Sequence, residues 1–262
     1  MELAVAVRSH GRTGLRRQRV IQHRGTGAKK NELQPWRTLR FCIPPHRNAA
    51  FVSQMEDILD VYCRPYDPQY PVVCVDESSK QLLADVRPAL PPEPGIPQRV
   101  DDHYERRGTC NLFLACEPLG GWRHIAVTKR RTQVDFAHFV RDLVDVHYAQ
   151  ATRVVLVMDN LNTHRPASLY EAFEPAEAKR IWDRLEWHHT PVHGSWLNVA
   201  ECEFSVLSRQ CTNRRIADEQ ALRAGIAAWE QQRNRAVKQV DWRFTTADAR
   251  INLAHLYPKS CM

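Results

Sequence analysis

The sequence has no long hydrophobic run: none of its 262 residues lies in a stretch of the roughly 18 apolar residues that a membrane helix requires. The opening segment, MELAVAVRSHGR, has too short an apolar stretch before its charges for a secretory signal. There is no internal repeat and no G-x-S-x-G motif of an α/β-hydrolase. These absences argue against a membrane protein and a hydrolase of that type, and they predict a cytoplasmic location.

The eight cysteines follow no metal-binding or disulfide pattern. None belongs to a C-x-x-C pair, and several lie inside apolar runs, which indicates buried thiols in a reducing compartment. Zinc is an alternative for His188, His189, His193 and Cys202, but their spacing matches no established zinc pattern. Because neighbouring strand residues point to opposite faces, we favour structural histidines there.

Charge and composition indicate a folded, basic protein. Hydrophobic residues make up 43% of the chain, and the net charge is +7 with a pI near 9.1. A basic protein attracts polyanions such as nucleic acids, although an ordinary basic enzyme fits the charge equally well. Residues 1–30 are rich in Arg, Lys and Gly, so we interpret them as an irregular basic tail that is either solvated or in contact with DNA phosphates.

The remaining sequence alternates between strand and helix periodicity. Residues 31–70 hold a proline-bracketed linker and an entry helix over 48–62, residues 71–236 the main domain, and residues 237–262 a C-terminal helical extension. Strands are predicted at 72–75, 109–116, 124–128, 154–158 and 185–190. The first three are expected to be antiparallel, and the later ones to be reached by helical crossovers. This order predicts an α/β fold of ribonuclease H-like type, with a mixed five-stranded sheet and helices on both faces.

Two of the predicted strands run directly into an acidic residue. Residues 72–75 lead to Asp76, and residues 154–158 lead to Asp159, where asparagines favour a turn. Both acids are therefore predicted to end a buried strand. Because the first and fourth strands can lie side by side in such a sheet, we expect the two carboxylates to meet at one edge of it.

A third carboxylate completes the candidate site. Glu201 lies on a helix predicted over 196–211, beside its apolar stripe, and from there it can close the group. Three converging carboxylates repel one another unless a cation compensates them, and oxygen ligands suit Mg²⁺ or Mn²⁺. Two such ions can activate a nucleophile and stabilise the leaving oxygen of a phosphodiester. The alternative is that each acid occupies an ordinary strand end or helix surface.

Two neighbouring acids must be distinguished from this set. Glu77 points away from Asp76 if the strand continues, because successive side chains alternate between faces. Glu203 follows Glu201 by two residues, which is about half a helical turn. Only one of these two glutamates can therefore face the aspartates.

Five motifs carry a resemblance to a known family. They are VVCVDES at 72–78, LLADVRPALPP at 82–92, VVLVMDNLNTH at 154–164, HGSWLNVAECEFSVLSRQC at 193–211 and DWRFTTADARINLAHLYP at 241–258. Together they resemble bacterial insertion-sequence transposases (the insertion sequence 630 family) of the mariner-like DDE superfamily, which are related to retroviral integrases. The resemblance covers about residues 29–258.

The resemblance implies cleavage of double-stranded DNA at transposon ends and strand transfer into target DNA, with two Mg²⁺ or Mn²⁺ ions. The implied catalytic and metal-binding residues are Asp76, Asp159 and Glu201, the last placed by a W-L-N-x-x-E pattern that includes Asn198. The resemblance also implies that Asn160 and His164 orient these ligands or contact DNA. From the residues alone, His164 could equally be a turn-stabilising surface histidine.

The sequence departs from the family pattern in two places. The interval between Asp159 and Glu201 is longer than usual, which suggests an insertion at 167–184 and keeps Glu203 open as the third acid. Only residues 29–45 resemble the helix-turn-helix region that recognises transposon ends in this family, so we expect a truncated copy.

The resemblance also bears on partners and location. It places a clamp in the Pro-rich loop after Asp76, which implies a homodimer on DNA, associated with the nucleoid. Two rival functions remain: an idle DNA-binding remnant that forms mixed dimers with full-length transposase, and a ribonuclease H acting on RNA–DNA hybrids.

Overall fold

The computed structural model describes residues 43–44 and 46–258. The predicted basic tail at 1–30 and most of the proline-bracketed linker lie outside this part of the chain. Within the described ranges, none of the helices combines the length and apolar character needed to cross a bilayer.

Five strands and seven α-helices are formed by the described residues. In chain order they are α1 (Ala49–Tyr62), β1 (Val72–Asp85), β2 (Tyr104–Glu117), β3 (Trp122–Thr128), α2 (Gln133–Asp142), β4 (Val154–Met158), α3 (Ala167–Ala172), α4 (Pro175–Asp183), β5 (Leu185–His189), α5 (Val199–Leu207), α6 (Glu219–Arg235) and α7 (Thr246–Asn252).

The strands form one mixed sheet in the order β3-β2-β1-β4-β5. The β1–β2 and β2–β3 pairs are antiparallel, whereas β4 runs parallel to both β1 and β5. This topology confirms the predicted mixed five-stranded sheet, including the neighbouring positions of the first and fourth strands.

Each face of the sheet buries its own apolar cluster, because the side chains of a strand alternate between faces. Val73 and Val75 of β1 point to the cluster that contains α2, α3 and α4. Cys74, between them, points to the cluster that contains α1, α5, α6 and α7. The entry helix and the C-terminal segment up to Tyr257 thus pack into the same core as the main domain.

Side-chain caps fix where several helices begin. Asn48 accepts a hydrogen bond from the Phe51 amide at the start of α1, and Asp218 accepts one from Ala221 at the start of α6. Thr132 and Asp135 form a reciprocal capping box at the start of α2. Each cap satisfies amide groups that the helix leaves free and is worth about 1 kcal/mol.

The first strand does not end at Asp76, contrary to the prediction. β1 continues to Asp85, paired with β2 through a bulge at Leu82 and Leu83. The continuation is polar (residues 76–81, DESSKQ) and only partly buried, so it lacks the apolar run that marks a central strand. The pairing with β4 nevertheless stops at Cys74.

The predicted helix over 196–211 is divided into three parts. A 3₁₀ turn covers Ser195–Leu197, α5 follows, and a π-helical turn covers Ser208–Thr212. Asn198 causes the first break, because its extended backbone and its side-chain bond to the Ala200 amide cap α5.

Helix α6 covers the outer edge of β3. Asn234 bonds to both the amide and the carbonyl of Arg123, at 2.8 Å each. Glu230 accepts from the Ile125 amide, and Arg223 donates to the Val127 carbonyl. These side chains satisfy edge groups that would otherwise be open to another strand.

Candidate active site

The two aspartates occupy matching positions on neighbouring parallel strands. The last pair of the β1–β4 ladder joins Cys74 and Val157, and each aspartate follows its strand's member of that pair by two residues. The two carboxylates therefore leave the sheet at the same edge, where parallel strands diverge and open α/β sheets place ligands.

Asp76 is partly buried, and its charge is disfavoured. The pKa of its carboxyl is raised to about 7, mainly by burial and also by the negative charges of Asp159, Glu201 and Glu77. A 2.8 Å hydrogen bond from the Glu77 amide opposes this rise. The three predicted acids are thus close enough to repel one another, as expected for carboxylates that share a cation.

Asp159 is anchored by His164. Nδ1 of His164 lies 2.6 Å from Oδ1 of Asp159, and the Leu161 amide donates to the same oxygen at 3.3 Å. The ring of His164 is completely buried, so the interpretation of this residue as a surface histidine is wrong. Burial alone would lower the pKa of His164, but its contacts with Asp159 and Glu77 outweigh that effect and raise the pKa to about 9.

Glu201 lies in the first turn of α5 and is exposed. Its pKa is raised, first by partial burial and then by the charge of Asp159, against a hydrogen bond from Ser195. Asn198 fixes the start of this helix against the sheet, because its Nδ2 donates to the Val75 carbonyl at 3.2 Å, just before Asp76. Asn198 therefore connects the helix that carries Glu201 to the strand that carries Asp76.

Glu203 points inward and away from the aspartates. Its two oxygens contact Nε and Nη2 of Arg123 at 3.1 and 2.9 Å, and Nη2 of Arg233 at 2.9 and 3.1 Å. Burial would raise the pKa of Glu203, but the two guanidinium groups more than compensate and lower it. With Glu203 engaged in this way, Glu201 is the glutamate of this helix that stays free of an ion pair and whose charge acts on Asp76.

The three acids do not close on a common point in this structure. Their ligand oxygens do not all lie within 4.8 Å of one another; in the described ranges only Asp101, Asp102 and His103 meet that criterion. Those three lie in the loop before β2, where His103 contacts both aspartates. A cation at the predicted site would thus require the acid side chains to move closer together.

The remaining predicted residues are placed separately. Asn160 is exposed in the turn after β4. His188 contacts Asp57 and Glu186, whereas Nε2 of His189 lies 2.7 Å from the His164 carbonyl. The two histidines therefore serve different contacts, and within the described residues they form no zinc cluster.

A family model described as "DDE superfamily endonuclease" matches residues 71–223, more than half of the chain. The chain belongs to the DDE endonuclease superfamily. No curated protein sequence matches it.

Three solved structures are similar to this DDE endonuclease. A Mos1 transposase paired-end complex with left transposon end is 12% identical, with a TM-score of 0.50 over 90% of this chain and 80% of that one. Mos1 mariner paired-end complexes with Mg and with Mn are 12% and 13% identical, with TM-scores of 0.49 and 0.46. They cover 98% and 88% of this chain, and 85% and 70% of those chains. The first likeness supports the ribonuclease H-like fold that the strand order predicts.

Glu77, which the sequence pattern separates from the three candidate acids of this DDE endonuclease, lies close to them. Glu77 points to the face opposite Asp76, as alternation requires, and there its Oε2 lies 2.7 Å from Nε2 of His164. In the sequence Glu77 follows Asp76 and His164 lies five residues after Asp159. Only the pairing of β1 with β4 brings Glu77 and His164 together.

Proposed function

We propose that the chain is a divalent-metal-dependent transposase of the bacterial insertion-sequence type, which cleaves DNA and transfers the cut strand. The observation that supports this proposal is the placement of three acids near one edge of the sheet. Asp76 and Asp159 occupy matching strand positions, and the charge of Glu201 acts on Asp76, whereas Glu203 is bound to Arg123. This is the donor set that phosphoryl transfer by metal ions requires.

The donors fit hard cations. All three side chains offer carboxylate oxygens, which suit Mg²⁺ or Mn²⁺. Burial, and then the negative charges of Asp159 and Glu201, raise the pKa of Asp76, so a cation would favour its charged form. Asp76, Asp159 and Glu201 would hold two ions, and when bound these supply charge neutralisation at the scissile phosphate and lower the pKa of the attacking hydroxyl or water. The chain itself keeps the acids in place through Asn198 and His164.

The substrate we propose is double-stranded DNA, first a transposon end and then target DNA. The net charge of +7 favours a polyanion, and the superfamily is one of endonucleases. On that substrate the enzyme would work in the cytoplasm, at the nucleoid.

We further propose that two copies act together on DNA. The loop between β1 and β2 exposes four apolar side chains to solvent, and a partner subunit could cover them. They are Val86, Leu90, Ile96 and Val100. Light scattering of the DNA complex should give two chains per complex for the wild type. The double variant Leu90→Ser, Ile96→Ser should give one chain per complex. Val146→Ser changes an exposed valine outside this loop and should still give two chains per complex.

A nicking assay tests the catalytic proposal. With Mg²⁺, the wild type should convert supercoiled plasmid to open circle, and Asp159→Asn and Glu201→Gln should abolish the conversion. Glu105→Gln, an exposed acid on β2, serves as the control and should nick normally. An inactive wild type that still binds DNA would indicate the idle remnant instead. Cleavage of RNA–DNA hybrid but not of duplex would indicate a ribonuclease H.

A further inference from the structure

His164 bridges two strands at the point where their ladder ends. Beyond Cys74 and Val157, β1 and β4 no longer pair. There the imidazole lies between two carboxylates, with Nε2 2.7 Å from Oε2 of Glu77 on β1 and Nδ1 2.6 Å from Oδ1 of Asp159 after β4. The side chains thus continue the connection between the strands after the backbone has stopped doing so.

The contact between Glu77 and His164 is deeply buried. The side chain of Glu77 is 4% exposed and that of His164 is 0% exposed. The angles of the contact are not those of an aligned hydrogen bond, and neither Oε2 nor Nε2 has another partner in the described part of the chain. Because a buried polar atom without any polar neighbour is costly, the Oε2 and Nε2 atoms are expected to stay beside each other.

Two other elements restrict the same residue. The Phe136 ring of α2 lies 4.6 Å from the imidazole, centroid to centroid, and Nε2 of His189 on β5 lies 2.7 Å from the His164 carbonyl. The ring therefore has little freedom to turn, and its contact through Nδ1 fixes the orientation of the Asp159 carboxylate. Both bonds to the Asp159 carboxylate, from His164 and from the Leu161 amide, go to Oδ1.

We propose that Glu77 is a positioning residue for the metal site: it holds the ring of His164, which holds Oδ1 of Asp159 and so would leave Oδ2 free for a cation. This inference rests on the proposed function, since it concerns the same site. It assigns distinct roles to adjacent residues of β1, because Asp76 serves as a ligand on one face of the sheet and Glu77 as a support on the other. Loss of such supports weakens metal binding about 10–100-fold.

Direct Mn²⁺ binding, measured by isothermal titration calorimetry on the full chain, tests this role. Glu77→Gln keeps the size of the side chain and removes its charge, so its Mn²⁺ dissociation constant should rise about 10–100-fold. In nicking assays the variant should need correspondingly more Mn²⁺ and recover its rate when saturated. The control is Glu117→Gln, which replaces another buried glutamate, one bonded to Tyr148 and away from the acids, and should bind as the wild type does.

The possible results separate the two proposals. An affinity for Glu77→Gln within about twofold of the wild type would overturn the positioning role and leave the proposed function intact. Absence of Mn²⁺ binding by the wild type would remove the proposed function, and the positioning role with it. If Glu77→Gln does not fold, the crystal structure of the wild type with Mn²⁺ decides: Oδ1 of Asp159 should stay on Nδ1 of His164, with Nε2 still beside Glu77, and Oδ2 should contact the metal. A metal bound through Oδ1, or a His164 ring turned away from Glu77, would overturn the proposal.

Discussion

Replacing Glu203 should lower the free energy of unfolding far more than replacing Glu201, although the two residues lie only two positions apart on α5. The carboxylate of Glu203 is 4% exposed and faces Arg123, which is 1% exposed, and Arg233, which is 17% exposed. Its removal leaves two guanidinium groups without their anion, and Nη1 of Arg123 already lacks a partner in the described residues. Breaking a buried ion pair by deleting one member costs about 3–5 kcal/mol.

That loss is a large fraction of the roughly 5–15 kcal/mol that stabilises a typical domain. Urea unfolding followed by circular dichroism should therefore show a much lower midpoint for Glu203→Gln than for the wild type. Glu201→Gln should keep the wild-type midpoint or exceed it, because Glu201 is exposed and repelled by Asp159. A wild-type midpoint for Glu203→Gln together with lost nicking would refute this reasoning and restore Glu203 as the third acid.

The pH dependence of the same measurement has a defined sign. The pKa of Glu203 is lower in the folded protein than its usual value, so the folded state binds this proton less readily than the unfolded chain. Its contribution is therefore fully present above the unfolded pKa and disappears as the pH falls through the folded value. The difference between wild type and Glu203→Gln should accordingly shrink in acid.

Three further predictions concern other parts of the fold. Asp76→Asn should stabilise the metal-free protein near pH 8 by at most roughly 4 kcal/mol, because folding raises the pKa of this carboxyl from 3.8 to about 7 and the wild type therefore loses stability as the pH rises through that range. Urea melts at pH values below 4 and near 8 check this, and a difference between variant and wild type that is the same at both pH values would contradict it. Asn234→Ala should cost about 1–3 kcal/mol by exposing the Arg123 edge groups, and a melting temperature equal to the wild type's would disprove that. Asn198→Ala should cost about 1–2 kcal/mol in urea melts and slow nicking of the folded protein; unchanged nicking would deny its coupling role.

The sheet was largely predictable because its central strands are apolar on both faces. Residues 154–158 are all buried, and such a run is recognised without any neighbour. The second half of β1 could not be predicted, because it is stabilised by pairing with β2 and a local sequence pattern carries no information on that pairing. The break before α5 was equally hidden, since Asn198 gives no sign of bonding to Val75 until the sheet exists.

The positions of the candidate site residues were predictable for those that directly follow a strand. The contacts between residues of different elements were not predictable. Asp76 and Asp159 could be paired from topology alone, since parallel neighbours present their ends at one edge. The different surroundings of Glu201 and Glu203 depend on Arg123 and Arg233, which lie on other elements and far away in sequence. Glu77 required the same kind of long-range knowledge.

Anomalous diffraction from crystals soaked in Mn²⁺ tests the central claim most directly. We expect manganese between Asp76, Asp159 and Glu201, with their oxygens drawn into contact with it. Manganese bound instead at Asp101, Asp102 and His103, with the three proposed ligands still apart, would contradict the account.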